Sequence, residues 1–100
     1  MPGFVFVMGA ARSGTTAMAG LLNTHPRVCI GVERFKYVKR LSPALFEEDR
    51  FFRFEATDTN ILPAADAQWR RLYEAMRAKW PGAAVHGDKL GARLLARIAS

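Results

Sequence analysis

The chain has 100 residues, of which 50% are hydrophobic and 24% are charged. This composition is globular and excludes disordered, collagen-like and mucin-like chains, which contain fewer apolar residues or more Pro, Gly and Ser. The 15 Lys and Arg against 9 Asp and Glu give a net charge of +6, which favours an anionic partner such as nucleic acid, a membrane surface, or a small phosphate or sulfate compound.

The length limits the fold to one modest core, because a chain of this size buries roughly 60–70% of its unfolded surface. A complete two-faced α/β enzyme is usually longer, so we expect residues 1–100 to be the N-terminal part of a single domain. The single cysteine, Cys29, excludes an internal disulfide and a zinc cluster and suits a reducing compartment. The apolar N-terminus lacks a basic signal region and is too short for a membrane span, so we expect a cytoplasmic protein.

The first third of the chain has the order strand, helix, strand. Phe4 to Met8 is a run of β-formers, typical of a strand covered on both faces. Thr15 to Asn23 predicts a helix, and Val28 to Ile30 predicts a second strand. The core face of the helix would consist of Met18, Leu21 and Leu22. This order predicts a right-handed parallel crossover unit.

The middle of the chain shows weaker periodicity. Residues 33–40 are basic and aromatic and predict a loop or an irregular helix. The pair Ser42-Pro43 is a helix-start signal, and residues 44–54 predict a short helix and loop that cover part of the core. Residues 58–63 form a connector.

The last third predicts a helix, a strand and a final helix. Asp66 is a candidate N-cap for a helix that ends at Pro81-Gly82. Ala83 to His86 predicts a third strand, and Gly87-Asp88-Lys89 predicts its exit loop. The apolar positions of the first helix are Trp69, Leu72, Tyr73, Met76 and Trp80. Those of the final helix are Leu94, Leu95 and Ile98. The predicted fold class is therefore α/β, with a parallel sheet flanked by helices.

A glycine-rich loop between the first strand and the first helix carries the strongest chemical signal. It runs from Gly9 to Thr16 and reads Gly-Ala-Ala-Arg-Ser-Gly-Thr-Thr. Glycines allow a tight turn in which successive N–H groups converge at a helix N-terminus, where an anion is favoured. The spacing of Gly9 and Gly14 matches a Walker A loop, but Thr15 stands where that loop has its Lys. The residues predict a phosphate or sulfate site and argue against a nucleoside-triphosphate motor.

Together with the segments His25-Pro26 and 29–33, the sequence Arg12-Ser13-Gly14-Thr15-Thr16 resembles the N-terminal part of the sulfotransferases that use 3′-phosphoadenosine 5′-phosphosulfate (PAPS). Residues 58–62 and 87–89 resemble the sulfotransferase pattern more weakly. The resemblance implies a P-loop nucleotide-kinase-like fold, PAPS as sulfuryl donor, no metal, and a hydroxyl acceptor. It also implies that Arg12, Ser13, Gly14, Thr15 and Thr16 bind the 5′-phosphosulfate. Family members place the 3′-phosphate site on a later strand and helix, so we expect residues 1–100 alone to be an incomplete, inactive enzyme.

Glu33 and Lys89 are the candidate catalytic residues. Glu33 directly follows the second strand, at the edge where parallel sheets place their ligands, and a carboxylate there can deprotonate an acceptor hydroxyl. Lys89 follows the third strand, and its ammonium can stabilise charge that develops during transfer. The resemblance assigns the catalytic base to Glu33 and contact with the bridging oxygen to Lys89. Surface ion pairs are the alternative for both side chains: Glu33 with a nearby cation, and Lys89 with Asp88. His86 is a second candidate base, although its place in a strand favours packing.

Two other function classes remain open at this point. A kinase-like phosphoryl transferase would need Mg²⁺, with Asp88 as the metal-binding acid. A non-enzymatic anion or nucleic-acid binding module would use the basic and aromatic stretch that contains Arg34 and Lys36, although no specific nucleic-acid motif is present. For the sulfotransferase, the expected partner is a small-molecule or carbohydrate hydroxyl acceptor. We also expect exposed apolar surface to promote association.

Overall fold

The computed structural model describes residues 3–9 and 14–91. Its centre is a three-stranded parallel sheet made of β1 (Gly3–Gly9), β2 (Val28–Val32) and β3 (Val85–Gly91) in the order β1-β3-β2. The predicted α/β class and the parallel pairing of the strands are confirmed. The predicted final helix, with Leu94, Leu95 and Ile98, lies outside the described residues.

In the described part of the chain, three helices flank the sheet: α1 (Thr15–Leu22), α2 (Glu48–Phe51) and α3 (Ala67–Lys79). Single 3₁₀ turns lie at Pro43–Phe46, Pro63–Ala65 and Trp80–Gly82. The predicted N-cap of α3 is confirmed, because Oδ1 of Asp66 accepts a hydrogen bond from the amide of Gln68 at 2.8 Å. The turn at Trp80-Pro81-Gly82 follows α3 directly, as the breaker residues predicted.

The third strand is longer than predicted, and the predicted exit loop 87–89 is wrong. Gly87, Asp88 and Lys89 have the composition of a turn, but they lie inside β3, paired with β1 on one side and β2 on the other. Tertiary pairing therefore outweighs local propensity here. Gly87 belongs in this strand for a steric reason, because a Cβ at this position would collide with the carbonyl oxygen of Val5.

The predicted core face of α1 is also wrong in part. Met18 and Leu21 are 50% and 65% exposed, whereas Ala19 is fully buried. Leu22 is half-buried. A small side chain allows a helix to pack close to a sheet, and the longer apolar side chains then point away from it.

An aromatic core lies against one face of the sheet, between the sheet, α2 and α3. Phe51 stacks on Trp80 with 4.5 Å between the ring centroids, and Phe35 contacts Phe51 edge-on at 5.8 Å. Cys29 of β2 is buried in the same cluster, and its thiol lies 3.7 Å from the carbonyl oxygen of Met76. Burial raises the pKa of the Cys29 thiol, against the opposing effect of Lys79.

The two outer strands differ in how their edges are covered. The Asn23 side chain exchanges two hydrogen bonds of 2.7 Å with the backbone of Ile30, and the Tyr73 hydroxyl accepts one from the amide of Val32 at 3.0 Å. The outer edge of β2 is thus covered by side chains. In the described residues β1 pairs only with β3, and its exposed apolar side chains are Phe4, Val5 and Met8. Among the described residues, no helix is long and apolar enough to cross a membrane.

Candidate functional site

Parallel pairing brings the carboxyl ends of the three strands to one edge of the sheet. Gly9 at the end of β1 is level with Gly91, and Val32 at the end of β2 is level with Lys89. Ligands of open parallel sheets bind at this edge. The structure therefore gathers the start of the glycine-rich loop, Glu33 and Lys89 in one region.

Glu33 and Lys89 form an ion pair at this edge. The Nζ of Lys89 lies 3.7 Å from Oε1 of Glu33, and the two side chains are 13% and 24% exposed. The two side chains that the sequence singled out separately are therefore in contact. The alternative pairing of Lys89 with Asp88 is wrong, because the Asp88 carboxylate accepts hydrogen bonds from backbone amides instead. An ion pair that is mostly withdrawn from water exerts a stronger field on a bound molecule than an exposed one.

The backbone of Glu33 is strained. Its φ of 46° is left-handed, and within residues 3–9 and 14–91 no other non-glycine residue has a positive φ. Such a conformation costs about 1–3 kcal/mol and persists where the surroundings impose it. The Glu33 amide donates to the carbonyl of Lys89 at 2.9 Å, and its carbonyl accepts from the Thr59 hydroxyl at 2.8 Å.

Asp88 lies beneath this turn and is fully buried. Its carboxylate accepts hydrogen bonds from the amides of Arg34 at 3.0 Å, Phe35 at 3.3 Å and Lys89 at 3.0 Å. Burial raises the pKa of Asp88 to about 7, although these three amides and the Arg34 charge favour the ionised form. Because the carboxylate is enclosed and bound to the backbone, Asp88 is not available as the metal-binding acid of a kinase-like site.

The glycine-rich loop is described only at its end. Arg12 and Ser13 lie outside the described residues, so their predicted contacts remain predictions. Gly14 is the N-cap of α1, with φ 86° and open space where a Cβ would stand, so its conformation requires glycine. Thr15 and Thr16 begin the helix, and no described side chain caps this terminus. A helix N-terminus with a left-handed glycine as its N-cap fits an anionic group.

His86 lies near the start of β3, three residues before Lys89, where it is level with Phe4 and Cys29. Its ring stacks on Trp80 at 3.9 Å with 10° between the planes, and it is 6% exposed. Burial lowers the pKa of His86, against a hydrogen bond with the backbone of Trp80. The interpretation of His86 as a packed strand residue fits this position better than a role as base.

The basic stretch after β2 is not a uniformly solvated surface. Arg34 is fully buried and donates to Oδ2 of Asp58 at 3.1 Å, while Arg50 binds both oxygens of the same carboxylate at 2.7 and 2.8 Å. Burial lowers the pKa of Arg34, and Asp58 opposes this effect. Burial also raises the pKa of Asp58, but the hydrogen bonds from Arg50 and Arg34 outweigh it and hold that pKa below its ordinary value. Arg34 is therefore committed to this cluster rather than to an external polyanion.

Thr59 and Asp58 contribute to the site, although no motif in the sequence singled them out individually. Both lie in the connector 58–63, of which residues 58–62 weakly resemble the sulfotransferase pattern, and the other weakly similar segment, 87–89, contains Asp88. In the structure, these two segments both contact the turn at Glu33. The weak family resemblance of segments 58–62 and 87–89 was the sequence signal that could have pointed to Asp58 and Thr59.

Within the part of the chain that the structure describes, no group of three or more His, Cys, Asp or Glu side chains could hold a metal ion. No curated protein and no solved structure matches the chain. Residues 2–95 match the family model described as "Sulfotransferase family". The match spans nearly the whole chain and agrees with the resemblance at the glycine-rich loop. The chain therefore belongs to the sulfotransferase family.

Proposed function

We propose that the protein transfers a sulfuryl group from PAPS to an acceptor hydroxyl. The observation that carries the proposal is the contact of 3.7 Å between Lys89 and Glu33 at the carboxyl edge of the sheet. A carboxylate that can accept a proton and a cation that can stabilise developing charge are the two groups that this reaction needs. They lie at the edge where α1 presents its N-terminus after β1.

In the proposed reaction, Glu33 accepts the proton of the acceptor hydroxyl as the hydroxyl oxygen forms a bond to sulfur. The bond between sulfur and the bridging oxygen breaks, and adenosine 3′,5′-bisphosphate leaves. Lys89 stabilises the negative charge that develops on the bridging oxygen. A positioned base typically contributes a factor of about 100 to 10,000.

The donor would be held at the start of α1. By the family resemblance, the amides of Ser13 to Thr16 and the Arg12 guanidinium bind the 5′-phosphosulfate. The left-handed Gly14 at the N-terminus of α1 supports this assignment. We propose a carbohydrate or small-molecule hydroxyl as acceptor, and a cytoplasmic location that suits the buried thiol of Cys29.

Glu33→Gln tests the base, because glutamine keeps the size and hydrogen bonding of the side chain but lacks its basicity. In a chain long enough to include the 3′-phosphate site, we expect turnover with labelled PAPS and a panel of hydroxyl acceptors to fall by about 100-fold or more, while affinity for adenosine 3′,5′-bisphosphate, measured by calorimetry, stays within about twofold. Glu55→Gln is the matched control, because Glu55 is exposed and pairs only with Arg53 among the described residues. Turnover of Glu33→Gln within about threefold of the parent would refute the assignment of the base.

Arg12→Ala tests the donor loop separately from the chemistry. We expect it to weaken binding of adenosine 3′,5′-bisphosphate by about tenfold or more, because a charge-assisted hydrogen bond is lost. Binding as tight as that of the parent would place the donor elsewhere. ATP with Mg²⁺ serves as a competing donor in the transfer assay, and phosphoryl transfer in place of sulfuryl transfer would favour a kinase-like activity.

A further inference from the structure

Glu33 is held by contacts from two segments that are distant in sequence. Its amide donates to the carbonyl of Lys89 at 2.9 Å, and its carbonyl accepts the Thr59 hydroxyl at 2.8 Å. The next amide, that of Arg34, donates to Asp88 at 3.0 Å. The backbone groups on both sides of the Glu33 side chain are therefore bonded to fixed partners, which accounts for the persistence of its left-handed φ.

Thr59 is itself well fixed. It is 1% exposed, and its hydroxyl oxygen also accepts a hydrogen bond from the amide of Ile61 at 3.1 Å. The residue before it, Asp58, is held by the buried Arg34 and by Arg50. A hydroxyl anchored in this way is a rigid support rather than an adaptable surface contact.

Asp88 connects the two members of the ion pair. Its carboxylate binds the amides that follow Glu33, and its Oδ1 also accepts the amide of Lys89, which is the next residue in β3. A shift of this carboxylate would move the turn at Glu33 relative to the strand that carries Lys89. The position of the Glu33 carboxylate relative to the Lys89 ammonium therefore depends on Asp88.

We propose that Thr59 and Asp88 are positioning residues that hold Glu33 in its left-handed conformation and so set the contact between its carboxylate and Lys89. The proposal rests on the proposed function in that the contact is useful only if Glu33 is the base. Neither residue touches the reacting atoms. Their effect on turnover passes through the backbone of Glu33.

Thr59→Val tests the proposal with little change in side-chain volume, since it replaces the hydroxyl with a methyl group. In the same longer chain that includes the 3′-phosphate site, we expect kcat to fall by about 10- to 100-fold, because a displacement of about 1 Å at a reacting group can reduce the rate by that amount. The affinity for adenosine 3′,5′-bisphosphate should stay within about twofold. Thr59→Ser restores a hydroxyl and should recover most of the turnover. Thr57→Val makes the same chemical change at an exposed threonine two residues away and controls for the substitution itself.

A double-variant cycle separates positioning from a general loss of structure. If Thr59 acts through Glu33, Thr59→Val should lower kcat in the parent but add nothing in the Glu33→Gln background. An independent, additive loss in that background would overturn the proposal. Normal turnover of Glu33→Gln itself would instead refute the assignment of the base.

An NMR measurement decides the positioning without turnover. Scalar couplings that report the φ of Glu33 should show a positive value in the parent and in Thr59→Ser, and a change in Thr59→Val and in Asp88→Asn. A left-handed Glu33 in both of the latter variants would overturn the proposal, whatever the activity. Because this readout needs no acceptor, failure of the proposed function and failure of the positioning are distinguishable.

Discussion

Removal of the charge of Asp58 should destabilise the fold strongly. The Arg34 side chain is fully buried and the Asp58 side chain is only 3% exposed, so Asp58→Asn leaves a buried guanidinium without its counter-charge. Breaking a buried ion pair by removal of one partner typically costs about 3–5 kcal/mol. Arg34 keeps carbonyl partners at Phe51, at 2.7 Å, and at Arg53, at 3.1 Å, which favours the lower end of this range.

A loss of about 3 kcal/mol is large for a domain of this size, whose total stability is typically about 5–15 kcal/mol. It should lower the Tm by about 12 °C or more. Urea unfolding followed by circular dichroism gives the free energy directly. Glu55→Gln is the matched control, because its exposed pair with Arg53 at 3.2 Å should contribute no more than about 1 kcal/mol.

The reasoning would be refuted if Asp58→Asn lost less than about 1 kcal/mol, a loss typical of an exposed pair. A second variant tests the cause of the loss. Replacing Asp58 and its fully buried partner with apolar residues, as in Arg34→Met with Asp58→Leu, should recover part of the stability, because the guanidinium of Arg34 is then no longer buried without a counter-charge. Arg50, which is 23% exposed, loses its Asp58 partner in this double variant. A double variant less stable than Asp58→Asn would show that the carbonyl contacts of Arg34, rather than its charge, dominate.

Three further predictions concern the sheet. Gly87→Ala should lower the free energy of unfolding by about 3 kcal/mol or more, because its Cβ would collide with the carbonyl of Val5; in the same urea titration Gly20→Ala, where a Cβ meets open space, should be neutral or slightly stabilising. Asp88 is protonated more readily in the folded than in the unfolded state, so its contribution to stability is complete below about pH 4 and is lost as the pH rises through about 7. The stability of the parent relative to Asp88→Asn should fall over that range, and a constant difference would contradict the shift. The exposed apolar edge of β1 should cause association that depends on concentration and that Val5→Lys reduces; sedimentation velocity would contradict this by showing a monomer throughout.

Local patterns predicted the elements that depend on local interactions. The run at Phe4 to Met8 formed a strand and the capped, periodic stretch after Asp66 formed a helix, as expected. The prediction that the strand is covered on both faces is wrong for Phe4, Val5 and Met8, which are exposed in the described structure. The placement of Glu33 and Lys89 at one edge of the sheet could be anticipated from a general rule, because parallel strands bring their carboxyl ends together, although the contact between the two side chains was not predicted. For the elements and for this placement the sequence was sufficient, since neither inference needs the packing of particular side chains.

The failures concern residues whose conformation depends on distant partners. Gly87 lies in a strand because β1 and β2 pair on both sides of it, which its turn-like neighbours do not indicate. Thr59 contacts Glu33 across 26 positions of the chain, and a hydroxyl in a connector has no local signature. The left-handed backbone of Glu33 was equally hidden, because glutamate has no preference for that conformation. The conformation and contacts of such residues can be assigned only after the tertiary structure is known.

Because Cys29 is buried, the reaction of its thiol with a reagent reports opening of the core. The thiol is the single one in the sequence and is inaccessible, packed between β2 and the end of α3. A thiol reagent can modify it only when these elements separate, so the labelling rate measures how often the core opens. Because the carbonyl partner of the thiol is Met76 of α3, this rate follows the departure of α3 from the sheet. The wild-type chain thus reports the separation of α3 from the sheet through the labelling rate of Cys29, without an engineered probe.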